Sequence, residues 1–247
     1  MKTNREIRRT TRQALKGNWF IAIVATFVAS MLGGLSIGSN AVSFEVSLPP
    51  VEDFTGVADP DTLEMILNMY SIILAFAGVM VIVVAILNIV YLAVGSAVSV
   101  GYSQFNIDII DGKKPRLESL FESFGRWGTA IISRILISIF TTLWSLLLVI
   151  PGIIASFSYA MTPFVIAENP GMSASEAITE SKILMQGNKW KLFCLELSFF
   201  GLYILAAFTL GIALIWIIPY HQAAYAAFYR DIRPRRTHEP IADEYAY

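Results

Sequence analysis

Between Glu64 and Asp108 the chain runs for 43 residues without one charged side chain. No strand is that long, and a water-soluble helix of that length would need a polar face. About 20 apolar residues suffice to cross a hydrocarbon core of about 30 Å. Comparable stretches recur, and six spans are expected, at 19–37, 69–95, 129–150, 152–167, 192–209 and 212–229. The predicted fold is therefore an all-α polytopic membrane bundle. Hydrophobic residues make up 55% of the chain and charged ones only 15%, against about 25% charged in a soluble domain. That balance argues against a soluble enzyme and a disordered chain. A net charge of −1 argues against nucleic-acid binding by bulk charge.

The N-terminus has the look of a signal peptide, with basic residues, an apolar run and the small-residue site Ser39-Asn40-Ala41. Its apolar run, Trp19–Ile37, is longer than the usual signal core of about 7–15 residues, so retention as a membrane helix is expected. Charge then sets the topology. Segments 1–18, 101–128, 168–191 and the tail after 229 hold 17 of the 18 basic residues. Segment 38–68 holds six acids and no base. Six spans put all four basic segments on one face, and the positive-inside rule makes that face cytoplasmic, with both termini inside. Splitting 65–107 into two spans would break this parity, so one long helix projecting beyond the bilayer is expected there.

Three segments share a local pattern: Leu15-Lys16-Gly17-Asn18-Trp19, Ser123-Phe124-Gly125-Arg126-Trp127 and Met185-Gln186-Gly187-Asn188-Lys189-Trp190. Each sets a glycine, a polar residue and a tryptophan just before an outward span. Glycine ends helices in the left-handed region, and tryptophan suits the headgroup level. Short helices precede them, and Thr3-x-x-Glu6 and Ser173-x-x-Glu176 match the capping box. Apolar stripes (Ala174, Ala177, Ile178, Ser181, Leu184 and Met185; Leu117, Leu120, Phe121 and Phe124; Ile7, Ala14 and Leu15) suit interfacial helices on the inner leaflet, or helices packed on neighbouring loops. Gly38, Gly152 and Gly211 mark hairpin turns 19, 25 and 21 residues after the tryptophans. Pro163-Phe164 and Pro219-Tyr220 then recur on the second and third return spans. One integral membrane domain, 1–229, is expected to contain three hairpin units at about 1–107, 108–172 and 173–229, followed by a cytoplasmic polar tail, 230–247.

Several of these motifs carry a family resemblance. Gly17-Asn18-Trp19, Ile150-Pro151-Gly152-Ile153-Ile154-Ala155, Phe157-Ser158-Tyr159-Ala160-Met161, Ser173-x-x-Glu176-Ala177-Ile178-x-x-Ser181-Lys182 and Gly187-Asn188-Lys189-Trp190 resemble the bacterial integral-membrane family of domain of unknown function 975. The resemblance runs over about 1–230 and is densest across 150–230. It implies a membrane location in the bacterial envelope and brings no established activity. A more distant likeness is to the membrane domain attached to some glycerophosphodiester phosphodiesterases; the catalytic barrel of those enzymes has no counterpart here.

The expected spans hold two formal charges, Arg134 and Glu196, at nearly the same depth after their tryptophans. An unpaired charge there is expensive, so an ion pair between the third and fifth spans is expected, forming a polar centre with His221. The plainer readings are a snorkelling arginine and a packed or protonated carboxyl. His221 has no second ligand at metal spacing, so no metal or cofactor is expected. No nucleophile–histidine–acid set is visible, so no enzyme activity is expected. Asn88, at mid-span, is expected to bond to another helix. The lone Cys194 can form no intrachain disulfide. Trp19, Trp127 and Trp190, with Arg230, Arg233, Arg235 and Arg236 beside the aromatic end of the last span, suit anionic lipid headgroups. Two functions stay open: a non-enzymatic lipid-interacting scaffold or sensor, or accessory to a partner membrane protein, and a transporter or flippase for a small or amphiphilic substrate.

Overall fold

The computed structural model describes residues 2–35 and 60–233. Gly38, the acidic residues of 38–59, Arg235, Arg236 and His238 lie outside them. The described residues form helices and no strand: α1 (Asn4–Leu15), α2 (Trp19–Met31), α3 (Pro60–Ile110), α4 (Ser119–Glu122), α5 (Trp127–Leu147), α6 (Val149–Tyr159), α7 (Thr162–Glu168), α8 (Ala174–Leu184), α9 (Lys189–Phe208) and α10 (Leu214–Ile232). Four helical stretches are long and apolar enough to cross a membrane, at Glu64–Ile110, Ser119–Leu147, Ile150–Glu168 and Lys189–Phe208. A fifth is added if α1 and α2, bent by 100° at their junction, count as one.

The chain divides into two compact parts, 36–93 and the remainder. In the first, the described residues are the opening turns of α3. Ile72, Ile73, Leu74, Phe76, Val81 and Ile82 are all exposed there, and at about 100° per residue they point around the whole helix. A helix apolar on every side needs an apolar medium on every side. The unsplit run expected from the sequence is indeed one helix. Asn88 does not bond to another helix as expected. Its Nδ2 donates to the Val84 carbonyl one turn back, at 2.8 Å, so its own backbone satisfies it.

The second part holds the core, and along α2 its packing inverts that of a soluble protein. Helix α2 buries Ala22, Ala25, Thr26 and Ala29 while exposing Phe20, Phe27 and Met31. Small residues let backbones approach, which is how helices associate where lipid removes the hydrophobic drive. Gly95 of α3 comes close to Gly33: a Cβ at Gly95 would collide with the Gly33 carbonyl. The helix expected over 19–37 stops at Met31, because Gly33 turns the chain with φ +76°.

Helices α1 and α8 begin as expected. Thr3 and Glu6, and Ser173 and Glu176, form reciprocal capping boxes. Each glutamate is held below the usual 4.5, first by the backbone N–H of the capping residue and then by its hydroxyl. Their apolar stripes do not face the leaflet. Ile7, Thr11 and Leu15 are buried, as are Ala174, Ala177, Ile178, Ser181 and Leu184. The stripes serve protein packing, with α1 seated on α10. The second stripe is hardly a helix: Ser119–Glu122 passes into a 3₁₀ turn, Ser123–Arg126, that leaves Phe121 and Phe124 exposed.

The hairpin corners differ in detail. Between α5 and α6 the chain turns at extended Leu148, and Gly152 packs so closely on Ser145 that a Cβ would collide with it. Between α9 and α10, Gly211 N–H donates to Ala206 at 2.9 Å and Leu210 N–H to Ala207 at 3.2 Å, the paired bonds of a Schellman ending. Leu210, not glycine, takes the first left-handed position there, with φ +49°. Helix α10 coincides with the sixth expected span but is not among the four stretches long and apolar enough to cross a membrane. It carries Pro219 inside, and Tyr220, Ala223, Ala224, Ala226, Ala227, Phe228 and Tyr229 of its second half are buried.

Candidate functional site

The first and third lead-in segments share one backbone design. Gly17 and Gly187 sit at φ +95° and +74°. Asn18 and Asn188 follow, each donating Nδ2 four residues back, to Ala14 at 3.4 Å and Leu184 at 2.9 Å. Each asparagine carbonyl then accepts the first bond of the next helix, from Ala22 and Leu192, both at 3.0 Å. In the second segment Gly125 has no positive φ, and Arg126 stands where the others have asparagine. Its Nη1 donates to the carbonyls of Ile166 and Ala167 at 2.7 and 2.9 Å, satisfying the open end of α7.

Eight residues beyond Asn18, Arg126 and Asn188 stand Thr26, Arg134 and Glu196. This one helical position is polar in all three cases. Thr26 Oγ1 shares a 2.6 Å hydrogen bond with the hydroxyl of Tyr102 on α3, and both are buried. Glu196 receives a hydrogen bond from the Tyr225 hydroxyl and lies 3.1 Å from His221 Nε2, both on α10. His221 is packed edge-on against Phe199, Tyr203 and Tyr225, with ring centroids 4.8, 5.8 and 5.0 Å away. Arg134 donates from Nη1 to the Gly33 carbonyl at 3.1 Å.

The structure thus brings Glu196 and His221 together and leaves Arg134 elsewhere. The expected Arg134–Glu196 ion pair is not formed. Equal depth does not fix which way a side chain points around its helix, and Glu196 points at α10. Tyr225, which the sequence places only in the aromatic end of the last span, joins this centre instead. Its signal was the four-residue spacing from His221, which puts both on one helical face.

Residues 145–236 match the family described as Protein of unknown function (DUF975). No curated protein and no solved structure matches the chain. The DUF975 match takes in Glu196, His221 and Tyr225 together, as well as the Gly187-Asn188 turn. Gly17-Asn18-Trp19, Thr26 and Arg134 lie outside it, so the resemblance expected over nearly the whole chain is shown for its second part.

The matched residues also supply all but Asp111 of a charged cluster at the ends of α3, α7 and α10. Glu168 meets Arg230 at 2.5 Å, Arg233, and the Tyr229 hydroxyl at 2.7 Å; Arg230 also meets Asp111. Arg230 and Arg233, expected at lipid headgroups, are therefore held in ion pairs, while Arg235 and Arg236 lie outside the described residues. Beside them opens a cleft of about 740 Å³. Its walls carry Lys113, Lys114, Arg116, Arg126, Arg230 and Arg233 against Asp108, Glu122 and Glu168. A second cluster ties α1 down. Asp231 accepts from the Lys2 backbone at 2.9 Å and from Lys191 at 2.7 Å. Burial raises the Asp231 pKa, but these partners outweigh it and hold the group below 3.8. Arg8 lies over the Phe199 ring at 5.4 Å and donates to the Tyr220 hydroxyl at 3.3 Å.

The tryptophans divide. Trp127 and Trp190 are 60% and 73% exposed at the first turns of α5 and α9, as a headgroup belt requires. Trp19 packs against the protein core instead.

Proposed function

We propose that the chain is a multi-pass membrane protein of the bacterial cell envelope, with six spans in three hairpin units and both termini cytoplasmic. In this reading it is a non-enzymatic scaffold or sensor that engages membrane lipid and assists a partner membrane protein. The 100° bend between α1 and α2 supports the layout, since a helix along the surface must meet a span at about that angle. The gathering of basic residues near the lead-in turns supports the orientation.

One observation carries the functional choice. The membrane-depth charges are tied into the fold, Glu196 by His221 and Tyr225, and Arg134 by the Gly33 carbonyl. A transport path offers its charges to a moving substrate, whereas a scaffold uses them to fix helices. A transporter or flippase is the second reading, favoured by the 29% of the Glu196 side chain that remains exposed. Vesicles reconstituted with the purified chain test the choice by fluorescent-lipid scrambling. The scaffold reading expects rates equal to those of empty vesicles. Scrambling that Glu196→Gln abolishes would replace it with the flippase.

A further inference from the structure

We infer that the cleft between the ends of α3, α7 and α10 binds a phosphate monoester group, with Lys114, Arg116 and Arg126 as its contacts. Charge counting comes first. The six cations of the cleft meet three carboxylates on its walls and a fourth, Asp111, beside it, which leaves an excess of two positive charges. A phosphate monoester carries about −1.5 to −2 at pH 7 and offers three strong acceptor oxygens.

The internal pairing then identifies the available donors. Lys113 lies 3.4 Å from Asp108, while Arg230 and Arg233 are taken up by Glu168 and Asp111. Lys114 and Arg116 form no ion pair among the described residues. Arg126 is held rigidly, yet both of its bonds use Nη1, leaving Nη2 and Nε for a ligand. A guanidinium fixed in this way offers the planar fork that phosphate oxygens accept.

Position suits a headgroup. Arg126 directly precedes Trp127, whose 60% exposure at the start of α5 marks the interface level. The phosphate could belong to an anionic lipid or to a soluble metabolite. The lipid source rests on the membrane reading proposed above; the cleft itself does not.

The test uses the full chain in an uncharged detergent, titrated calorimetrically with inorganic phosphate, and in phosphatidylcholine nanodiscs with and without phosphatidic acid, followed by native mass spectrometry. The variant Lys114→Ala/Arg116→Ala should weaken phosphate binding about tenfold or more, with an unchanged melting temperature. The equal-charge control Arg5→Ala/Arg9→Ala, on the exposed side of α1, should leave it unchanged. If the alanine variant melts early, Lys114→Gln/Arg116→Gln replaces it. Phosphatidic acid retained by the parent and lost in the cleft variant makes the source a lipid. Phosphate binding without lipid retention upholds the cleft and sinks the lipid-engaging reading. Equal binding by parent and both variants, or no binding of either probe, overturns the proposal and leaves the cations as partners of three helix C-termini.

Discussion

The α1–α2 and α8–α9 pairs, which open the first and third of the expected hairpins, carry different chemistry at the same helical position. Each begins with a capping box, a left-handed glycine and an asparagine that closes one helix and opens the next. Eight residues after that asparagine, a side chain bonds to a tyrosine, Tyr102 on α3 in the one and Tyr225 on α10 in the other. In the first hairpin the bond joins two neutral hydroxyls, Thr26 and Tyr102, and both are buried. In the third it joins a carboxylate, and a histidine is added. Hydroxyls satisfy each other in a tight site lined by alanine and glycine. A carboxylate needs more donors, and here it has two, while the larger Leu195 and Phe199 are buried at the positions where α2 has Ala25 and Ala29. The same scaffold position therefore supports a sealed contact in one place and a charged, partly open one in the other.

The largest effect should come from tight packing in the first hairpin. Gly95→Ala forces a methyl into the Gly33 backbone, which cannot yield, and should cost about 3 kcal/mol in detergent thermal unfolding. Gly201→Ala, in the third hairpin, meets nothing within 4 Å and should be neutral or slightly stabilising. Equal losses would erase the difference in packing.

Next comes the polar contact itself. Glu196→Ala strips two donors of their acceptor and should cost about 2 kcal/mol, moderated by partial exposure. Thr26→Val removes one neutral bond and should cost about 1 kcal/mol. A larger loss at Thr26 than at Glu196 would reverse the ordering.

The capping boxes should be alike. Thr3→Ala and Ser173→Ala are each expected to cost about 1 kcal/mol in the same assay. The linked titration is subtler. A glutamate depressed below 4.5 stabilises the fold above that pH, and the contribution fades as pH falls through the folded-state value. By carboxyl NMR, Glu176 should titrate below 4.5 in the parent and return to the ordinary value in Ser173→Ala. A Glu176 that does not move would remove the reciprocal bond.

These contrasts also locate what sequence could deliver. The capping boxes were legible because three-residue reciprocity is local. The continuous helix through 65–107 was legible because charge parity allowed no break. Legibility stopped at rotation and packing. Arg134 and Glu196 share a depth, yet one turns to the Gly33 carbonyl and the other to α10, and depth along a helix says nothing about direction around it. The stripes of α1 and α8 looked ready for lipid, but the same periodicity serves a protein groove. The cleft draws its cations from segments far apart in sequence, which only the fold brings together.

In the proposed scaffold the charges of the spans hold helices together locally, Glu196 through His221 and Tyr225 and Arg134 through the Gly33 carbonyl. Paired double-mutant cycles on stability measure this directly. Glu196→Ala with His221→Ala should show a coupling of about 1 kcal/mol, while Glu196→Ala with Arg134→Ala should be additive within about 0.5 kcal/mol. Coupling of Glu196 to Arg134, with none to His221, would contradict the account.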